Sequence, residues 1–410
     1  MNYTDTERTE AHARLSTHTA DPAAHALLGE LLGAPAPVAA EGLTLDLKAL
    51  RDGLKRAAAG MEARAKLPLL KSVELHGAGG TLTLRTTDLD TYTTVRVVAA
   101  GSLPACRVAL TELAKLLKGK GEAVLSLDGT ALVIEAGGAR MRLPLVVIED
   151  KDLPAPAWGE PQPLGELPGF ALAKLLGVAA PAMSSDLARP SINCVRLATS
   201  PEGVRAVARD GHRLHLADFG AALPASELLL NPSTVSALLA CAGSEAVTVT
   251  TSIPWVTFTT PTWTVAGRLV DETYPAYPQV LELIKDTNTV EWPRVAVLDA
   301  LKRLGKRPRV TLGGGSLRAG DDVVVWSNDA TPIAPVDLNP AYLRDALEAL
   351  RGEHVRVRWA DELSPVGFTS TTHEGVLCVV SPMRRYVGAA VTCDAAPETI
   401  SPAMVSARPR

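Results

Sequence analysis

Acidic, imidazole and guanidinium groups come together at one place in the sequence, the segment Asp210-Gly211-His212-Arg213-Leu214. An aspartate close to a histidine, with serines nearby, is a set of groups that hydrolases use for nucleophilic catalysis. The sequence has no Gly-x-Ser-x-Gly elbow that would supply the nucleophile. An enzyme that uses Asp210 and His212 is therefore a remote alternative, and we predict no catalytic residues.

The same segment has the pattern of a β-hairpin. Small apolar and charged residues alternate from Val204 to Arg209, and alternation resumes from His212 to Phe219. Asp210-Gly211 lies between the two runs, and Asp-Gly is a strong hairpin signal because glycine adopts a positive φ without steric cost. We therefore predict two antiparallel strands with His212 and Arg213 at their turn.

Bulk composition limits the class of protein. The chain has 410 residues, of which 47% are hydrophobic and 4% aromatic, and its net charge is −4. This length predicts two to four domains with cores of Leu, Val and Ala. A negative net charge means that any nucleic-acid surface must be a local basic patch.

Cysteine usage and hydropathy exclude further classes. The five cysteines are scattered and form no Cys-x-x-Cys pair, so we predict no metal site, no disulfide framework and no cofactor. The first residues are polar and acidic, unlike a signal peptide. No apolar run reaches the roughly 18 residues of a membrane helix, so we predict no membrane contact and a reducing cytoplasm.

A regular pattern begins at Leu43, with a short strand followed by a helix that carries Leu47, Leu50 and Leu54 at helical spacing. A second helix has its apolar stripe at Leu113, Leu116 and Leu117, with Thr111 as its expected N-cap. Strands are predicted between and after these helices. The pattern is that of an α+β unit with mostly antiparallel strands.

The unit then repeats. Asp88 and Asp210 lie 122 residues apart, and Val235 follows Leu113 at the same distance. A third copy begins near Val290, and its second helix is expected after a capping Asn339 with Pro340 at the first helical position. This copy is about 14 residues shorter than the second, a loss that could remove one strand. The sequence therefore predicts three copies of one unit.

Basic residues recur beside the apolar stripes of several helices. Lys48, Arg51 and Lys55 accompany the first helix of copy one, and Lys302 and Lys306 accompany that of copy three. Basic helix faces in a chain of negative net charge imply segregated charge. Such a face suits phosphate contacts without base readout.

With these features, the chain resembles the bacterial β sliding clamp family, the processivity subunit of the replicative DNA polymerase. The resemblance is carried, in the family's order, by Leu67-Pro68-Leu69-Leu70, Gly80 to Leu84, Thr87-Asp88-Leu89, Asp210 to Leu214, Arg268 to Asp271, Tyr274 to Tyr277, and Val379-Val380-Ser381-Pro382-Met383-Arg384.

The resemblance implies a DNA-clamp fold of class α+β. It has three repeated domains, each with two helices packed on antiparallel sheets, and two chains joined head to tail in a ring. The expected divisions are an N-terminal extension (1–41), clamp domains at 42–157, 158–289 and 290–385, the last shortened, and a C-terminal extension (386–410).

The resemblance also implies the sites. The groove for partner peptides would use Ile192, Arg209, Gly211, His212, Arg213, Leu214, Pro275, Gln279, Val280, Val379, Val380, Pro382, Met383 and Arg384. DNA contacts would fall on Lys48, Arg51, Arg64, Lys66, Arg189 and Lys302. The dimer interface would involve Met141, Leu143, Lys306 and Arg307.

The implied partners are duplex DNA without sequence preference, the polymerase catalytic subunit, the clamp loader, other proteins with a clamp-binding motif, and a second copy of the chain. The implied place of action is the bacterial cytoplasm, at the nucleoid. An alternative is a diverged accessory clamp with another partner or weak ring closure, because Lys306-Arg307 stand where the family has apolar residues for closure.

Overall fold

The fold is that of a computed structural model, which describes residues 42–61, 65–148, 159–313, 316–325 and 335–384. Both predicted extensions lie outside these ranges. Within them the helices, named α1 to α7, are Leu47–Ala58, Leu110–Leu116, Gly169–Ala179, Pro232–Cys241, Pro278–Glu282, Arg294–Leu304 and Pro340–Ala349.

The strands β1 to β8 are Leu43–Asp46, Ser72–Ala78, Thr81–Thr87, Thr91–Val98, Leu103–Ala109, Glu122–Asp128, Ala131–Ala136 and Ala139–Pro144. Strands β9 to β16 are Gln162–Pro168, Val195–Ser200, Gly203–Arg209, Arg213–Phe219, Ser226–Leu230, Ala246–Ser252, Trp255–Thr259 and Trp263–Arg268. Strands β17 to β24 are Asn288–Pro293, Val310–Leu312, Ser316–Ala319, Asp322–Val325, Val336–Leu338, His354–Trp359, Val366–Thr369 and Val376–Val380.

One order of elements occurs three times: a strand, a helix, four strands, a second helix and three strands. The third copy keeps all eight strands, so the expected loss of a strand is wrong. Its strands β18 to β21 have three, four, four and three residues, against seven, seven, eight and seven in β2 to β5. The third copy is therefore shorter than the others and keeps their order of elements. The domain boundaries themselves stay predictions.

All strand pairs are antiparallel, and they form four sheets among the described residues. Two sheets have eight strands because edges of successive copies pair: β4 joins β16, and β12 joins β24. The remaining two sheets have four strands, β1-β6-β7-β8 and β20-β19-β18-β21. Copies are therefore joined by backbone hydrogen bonds across a continuous sheet.

Local sequence explains the helices. The Asp46 side chain accepts a hydrogen bond from the Ala49 amide at 2.7 Å, which caps α1, and basic residues occupy its last turn. Asn339 caps α7 in the same way, with Pro340 at the first helical position, as predicted. The expected N-cap at Thr111 is wrong: α2 begins at Leu110, directly after β5, and no side chain caps it.

The core lies between the helices and one face of the sheets. The apolar stripe of α1 is buried there, as are the fully enclosed side chains of Trp263, Trp292 and Trp359. Burial of such faces is the main stabilising contribution to each copy. No helix in the described part of the chain is both long and apolar enough to cross a lipid bilayer.

Candidate partner groove and DNA-facing helices

A second apolar cluster lies on the opposite face of the β12–β24 sheet. We name it the outer cluster; its buried members are Cys194, Val207, Leu214, Leu216, Leu229, Tyr274, Tyr277 and Val379. Leu214 of β12 pairs directly with Val379 of β24. The outer cluster therefore spans the junction between the second and third copies.

The chain from Val270 to Ile284, which includes α5, packs on the outer cluster. Val280, Leu281 and Ile284 lie half-buried against it. Arg209 holds this segment by donating a hydrogen bond from Nη1 to the Ala276 carbonyl at 3.1 Å. Burial raises the pKa of the Tyr274 hydroxyl, which stays un-ionised inside the cluster.

The Asp210–Arg213 turn lies at the end of the outer cluster. One Asp210 carboxylate oxygen accepts from the amides of His212 at 2.8 Å and Arg213 at 3.0 Å. Gly211 has φ of +95°, a conformation that favours glycine. The Ser381 amide donates to the His212 carbonyl at 2.8 Å, which ties the turn to the residues after β24.

The Arg213 guanidinium links the two copies. Its Nε donates to Asp210 at 3.0 Å and its Nη1 to Asp345 of α7, while its carbon lies 4.4 Å from the centre of the Tyr342 ring. The side chains of Arg213 and Asp210 are only 12% and 13% exposed. The His212 ring stacks on the Tyr342 ring, with 6.2 Å between the ring centroids and an interplanar angle of 16°. Carboxylates, cation and aromatic ring form one network, buried at Arg213 and Asp210 and partly exposed at Asp345.

This network also accounts for the residues that suggested hydrolytic chemistry. The Asp210 carboxylate binds main-chain amides and Arg213, and the His212 ring stacks on Tyr342. Neither arrangement orients the imidazole toward a nucleophile. Within the described residues, no group of three or more His, Cys, Asp or Glu side chains could hold a metal ion.

The structure brings most of the predicted groove residues together. Leu214 and Val379 belong to the outer cluster, Val280 packs against it, and Gly211 and His212 are exposed at its end. Pro275, Pro382 and Met383 are half-buried, Gln279 and Arg384 are exposed, and Ile192 is buried after the Arg189 loop. Val380 is the exception, because strand alternation points it into the main core on the other face.

Several residues of this region were not predicted. Tyr342 and Asp345 reach the turn from α7, more than 120 residues further along the chain. Leu216 continues the face of Leu214, and the period-2 alternation of β12 contained that signal. Cys194 lies beneath Tyr274, and burial raises the pKa of its thiol to about 12, which makes it unreactive.

The side chains predicted to contact DNA differ in their exposure and in whether they already have a hydrogen-bond or ion-pair partner. Lys48, Lys66 and Lys302 are exposed, although Lys48 pairs with Asp52 at 2.9 Å, a hydrogen bond that raises the pKa of the lysine. Arg51 is half-buried and donates to the Gly119 carbonyl at 2.7 Å. Arg189 pairs with Asp186 at 2.8 Å. Arg64 lies outside the described residues.

The predicted interface residues lie near the two four-stranded sheets. Met141 is half-buried on β8, and Leu143 is already buried in the core of its own copy. Lys306 and Arg307 follow α6 and are exposed. Arg307 pairs with Asp322 at the start of β20, so its charge is compensated at the edge of the sheet.

Comparisons with known proteins give the fold and the proteins that this chain is similar to. No family model matches the chain. In fold it resembles the DNA polymerase III beta subunit of Thermotoga maritima, with a TM-score of 0.71 at 22% identity, covering 84% of this chain and 99% of that one. The fold is therefore the DNA-clamp fold, as predicted.

Two curated relatives are similar in sequence. The beta sliding clamp of Caulobacter vibrioides is 28% identical over 373 residues, covering 83% of this chain and 99% of the relative. That of Escherichia coli K12 is 24% identical over 366 residues with the same coverage. The chain is thus similar to beta sliding clamps over most of its own length and nearly all of theirs.

Proposed function

We propose that this protein is a DNA sliding clamp, a non-catalytic processivity factor that closes into a ring of two chains around duplex DNA. The observation that carries the proposal is the pair of free sheet edges. β8 and β20 each have one neighbour among the described strands. Their counterparts in the repeat, β16 with β4 and β24 with β12, pair at the junctions inside the chain. A second copy can supply the missing partner for both edges.

The internal junctions predict the register of that pairing. Val324 corresponds to Val95 and Ala217, because each of the three residues pairs with the equivalent residue on the preceding strand of its own copy. Ala139 corresponds to Trp263 and Val376, which pair with Val95 and Ala217. In the ring, Ala139 of one chain therefore faces Val324 of the other.

The same register has a favourable pattern of charge and apolar surface. It sets Arg142 opposite Asp321 and Arg140 opposite Val323. Val323 and Val325 are 41% and 58% exposed on the free edge, an unusual exposure for adjacent valines on one face. Edges of this kind act as pairing surfaces. Opposite charges and covered valines would favour this pairing over other registers.

Disulfide cross-linking tests the register. We expect a chain carrying Arg140→Cys and Val323→Cys to form covalent dimers on mild oxidation, because directly opposed residues have Cα atoms roughly 4.5–5.5 Å apart. A chain carrying Arg140→Cys and Val325→Cys serves as the matched control, with its cysteines one diagonal step apart. Gel analysis under non-reducing conditions measures both. Equal cross-linking of the two pairs would contradict the register.

The helices provide a surface for the DNA backbone. Lys48, Lys55 and Lys302 are exposed on α1 and α6, whereas α4 has no charged residue. The attraction is therefore diffuse and depends on counterion release, which allows a closed ring to slide. The proposed partner is duplex DNA of any sequence.

We expect weak, salt-sensitive binding to linear duplex, because a few lysines and no base-reading groups make the contact. Replacing Lys48 and Lys302 by glutamine removes these two lysines from both chains of the ring and should reduce the slope of log affinity against log salt by roughly four. Fluorescence anisotropy of a labelled duplex measures this slope. On closed circular DNA the loaded protein should remain until the DNA is cut. A strong preference for one duplex sequence would be incompatible with this mode of binding.

The groove between the second and third copies is the proposed site for partner peptides. Its floor is the apolar outer cluster, and Met383 and Pro382 border it at the end of β24. Adaptable apolar side chains suit short peptides with apolar anchors. The proposed partners are the polymerase catalytic subunit, the clamp loader and other proteins with a Gln-x-x-Leu-Phe type motif, acting in the bacterial cytoplasm.

We expect Met383→Ala to weaken binding of such a peptide by roughly 1–3 kcal/mol, because it removes an anchor at the edge of a buried apolar surface. Titration calorimetry with a peptide of that motif measures the change. Lys285→Ala is the control, since Lys285 is exposed just beyond α5. Equal effects of the two substitutions would place the peptide elsewhere.

The accessory clamp is the second candidate function. The observation behind it is the Lys306-Arg307 pair, which replaces apolar residues expected for closure. Because Arg307 is neutralised by Asp322, we favour a closing ring. Light scattering at micromolar concentration distinguishes the two: a stable mass of two chains supports the ring, and a monomer supports the accessory clamp.

A further inference from the structure

A cavity whose lining has more basic than acidic side chains lies at the junction of the second and third copies, away from the outer cluster. Its volume is about 690 Å³, in the range of small-ligand sites. Residues from α3, from the loop after α7 and from the β23–β24 turn line it, chiefly Phe170, Lys174, Arg351, Thr371, His373 and Glu374. We name it the junction pocket.

Three cationic or titratable groups converge on the junction pocket. Lys174 is fixed there because its Nζ donates to the Glu374 carbonyl at 2.9 Å. His373 is 8% exposed, and its Nδ1 has no hydrogen-bond partner among the described residues. Burial, with the positive charges of Lys174 and Arg351, lowers the pKa of His373 to about 4. These groups repel one another, and an anion between them would relieve that repulsion.

Opposing negative charge at the junction pocket is small. Glu374 is the one acidic side chain among the residues that line it. Asp218 also lies close, because Lys174 approaches its carbonyl at 3.5 Å, but the Asp218 carboxylate is bound by Arg205 at 2.6 and 2.8 Å. Thr371 offers an exposed hydroxyl that makes no hydrogen bond to the described residues. Ammonium, guanidinium and hydroxyl donors together are a set that recognises phosphate.

An aromatic ring stands beside these donors. The side chain of Phe170, one of four phenylalanines in the chain, is 59% exposed. Its ring is held by an edge contact with Phe219, with centroids 5.8 Å apart. Exposed aromatic rings next to basic groups bind unpaired nucleotides, because any base can stack on the ring while its phosphate meets the cations. Bases of a duplex are stacked on each other and do not offer this face.

We propose that the junction pocket binds one nucleotide of single-stranded nucleic acid, with its phosphate at Lys174, Arg351 and Thr371 and its base against Phe170. This site is distinct from the diffuse attraction of the helix faces for duplex DNA. It also lies outside the proposed peptide groove and the free edges. An experiment that refutes this site therefore leaves the proposed ring untouched, and an experiment that refutes the ring leaves this site untouched.

The test uses the full chain with histidine labelled for NMR, and His373→Gln identifies the resonance of His373. We expect oligothymidylate of about four nucleotides to raise the pKa of His373 by roughly one unit, because a nearby anion stabilises the imidazolium. Inorganic phosphate should do the same at concentrations at least tenfold higher, because it cannot contact Phe170. No shift with either ligand would overturn the site.

Substitutions test separately the proposed phosphate contact and the proposed base contact of the junction pocket. Arg351→Gln should weaken oligothymidylate binding about tenfold, and Phe170→Leu should weaken binding of the oligonucleotide but not of phosphate. Arg318→Gln, an exposed arginine on β19, is the matched control and should bind normally. If phosphate and oligonucleotide bind equally, or a duplex of the same length binds as well, the assignment to an unpaired nucleotide is overturned.

Discussion

Replacing Ala139 with aspartate should convert the closed ring into single chains. Ala139 is exposed in the isolated chain, beside the Gly137-Gly138 turn, so the substitution leaves the folded copy undisturbed. In the proposed ring it faces Val324, at the position where Trp263 and Val376 are 1% and 4% exposed at the internal junctions. The new carboxylate would be buried without a cationic partner only when the ring closes.

The expected effect is large because each ring has two such interfaces. A buried, unpaired charge costs about 3 kcal/mol at each interface, which corresponds to a roughly 10⁴-fold rise in the dissociation constant of the dimer. Sedimentation velocity across a concentration series measures this rise. Retention on closed circular DNA should be lost with it.

Ala78→Asp is the matched control for this substitution. Ala78 is exposed at the end of β2, beside the Gly79-Gly80 turn, and β2 is an inner strand with neighbours on both sides. The control should dimerise as the unsubstituted chain does. Monomers from both variants would indicate a general loss of stability, and dimers from both would refute the proposed pairing of β8 with β20.

Much of the fold could be predicted from local sequence. The caps of α1 and α7, the apolar stripe of α1 and the Asp210-Gly211 hairpin follow from residue types within a few positions of each other. The three copies followed from similar residues at a nearly constant distance. Such signals are local or periodic, and at these elements the local preferences agree with the tertiary structure.

The missed features depend on contacts between distant segments. Val380 was assigned to the groove from its neighbours in the motif, but its side chain points to the main core, because alternation along β24 is set by pairing with β12. The loss of a strand was expected from length alone, whereas the third copy keeps all eight strands, and β18 and β21 have three residues each. Length predicts how many residues are missing but not which elements absorb the loss.

The network of Arg213 is the clearest case of a feature that local sequence could not provide. Its partners come from two copies: Asp210 from the hairpin turn, and Asp345 with Tyr342 from α7. All of them meet at the end of the outer cluster, where the Ser381 amide donates to the His212 carbonyl. The network therefore fixes the Asp210–Arg213 turn relative to α7, and its loss should affect stability and, if the proposed groove is correct, peptide binding.

Arg213→Ala should lower the free energy of opening of the β12–β24 junction by about 3–5 kcal/mol, because it leaves Asp210 and Asp345 largely buried and without their shared cation. Arg205→Ala in the same hairpin is the matched control. Arg205 also pairs with an aspartate, Asp218, but the two side chains are 45% and 38% exposed, so its removal should cost at most about 1 kcal/mol.

Hydrogen exchange of the β12 and β24 amides measures both variants. Arg213→Lys should recover only part of the loss, since an ammonium cannot bridge two carboxylates with the planar geometry of the guanidinium. Peptide affinity should fall in Arg213→Ala and persist in Arg205→Ala, because only Arg213 holds the turn that carries His212. Equal losses of protection in the two alanine variants would mean that burial of the Arg213 network contributes nothing beyond an ordinary surface ion pair.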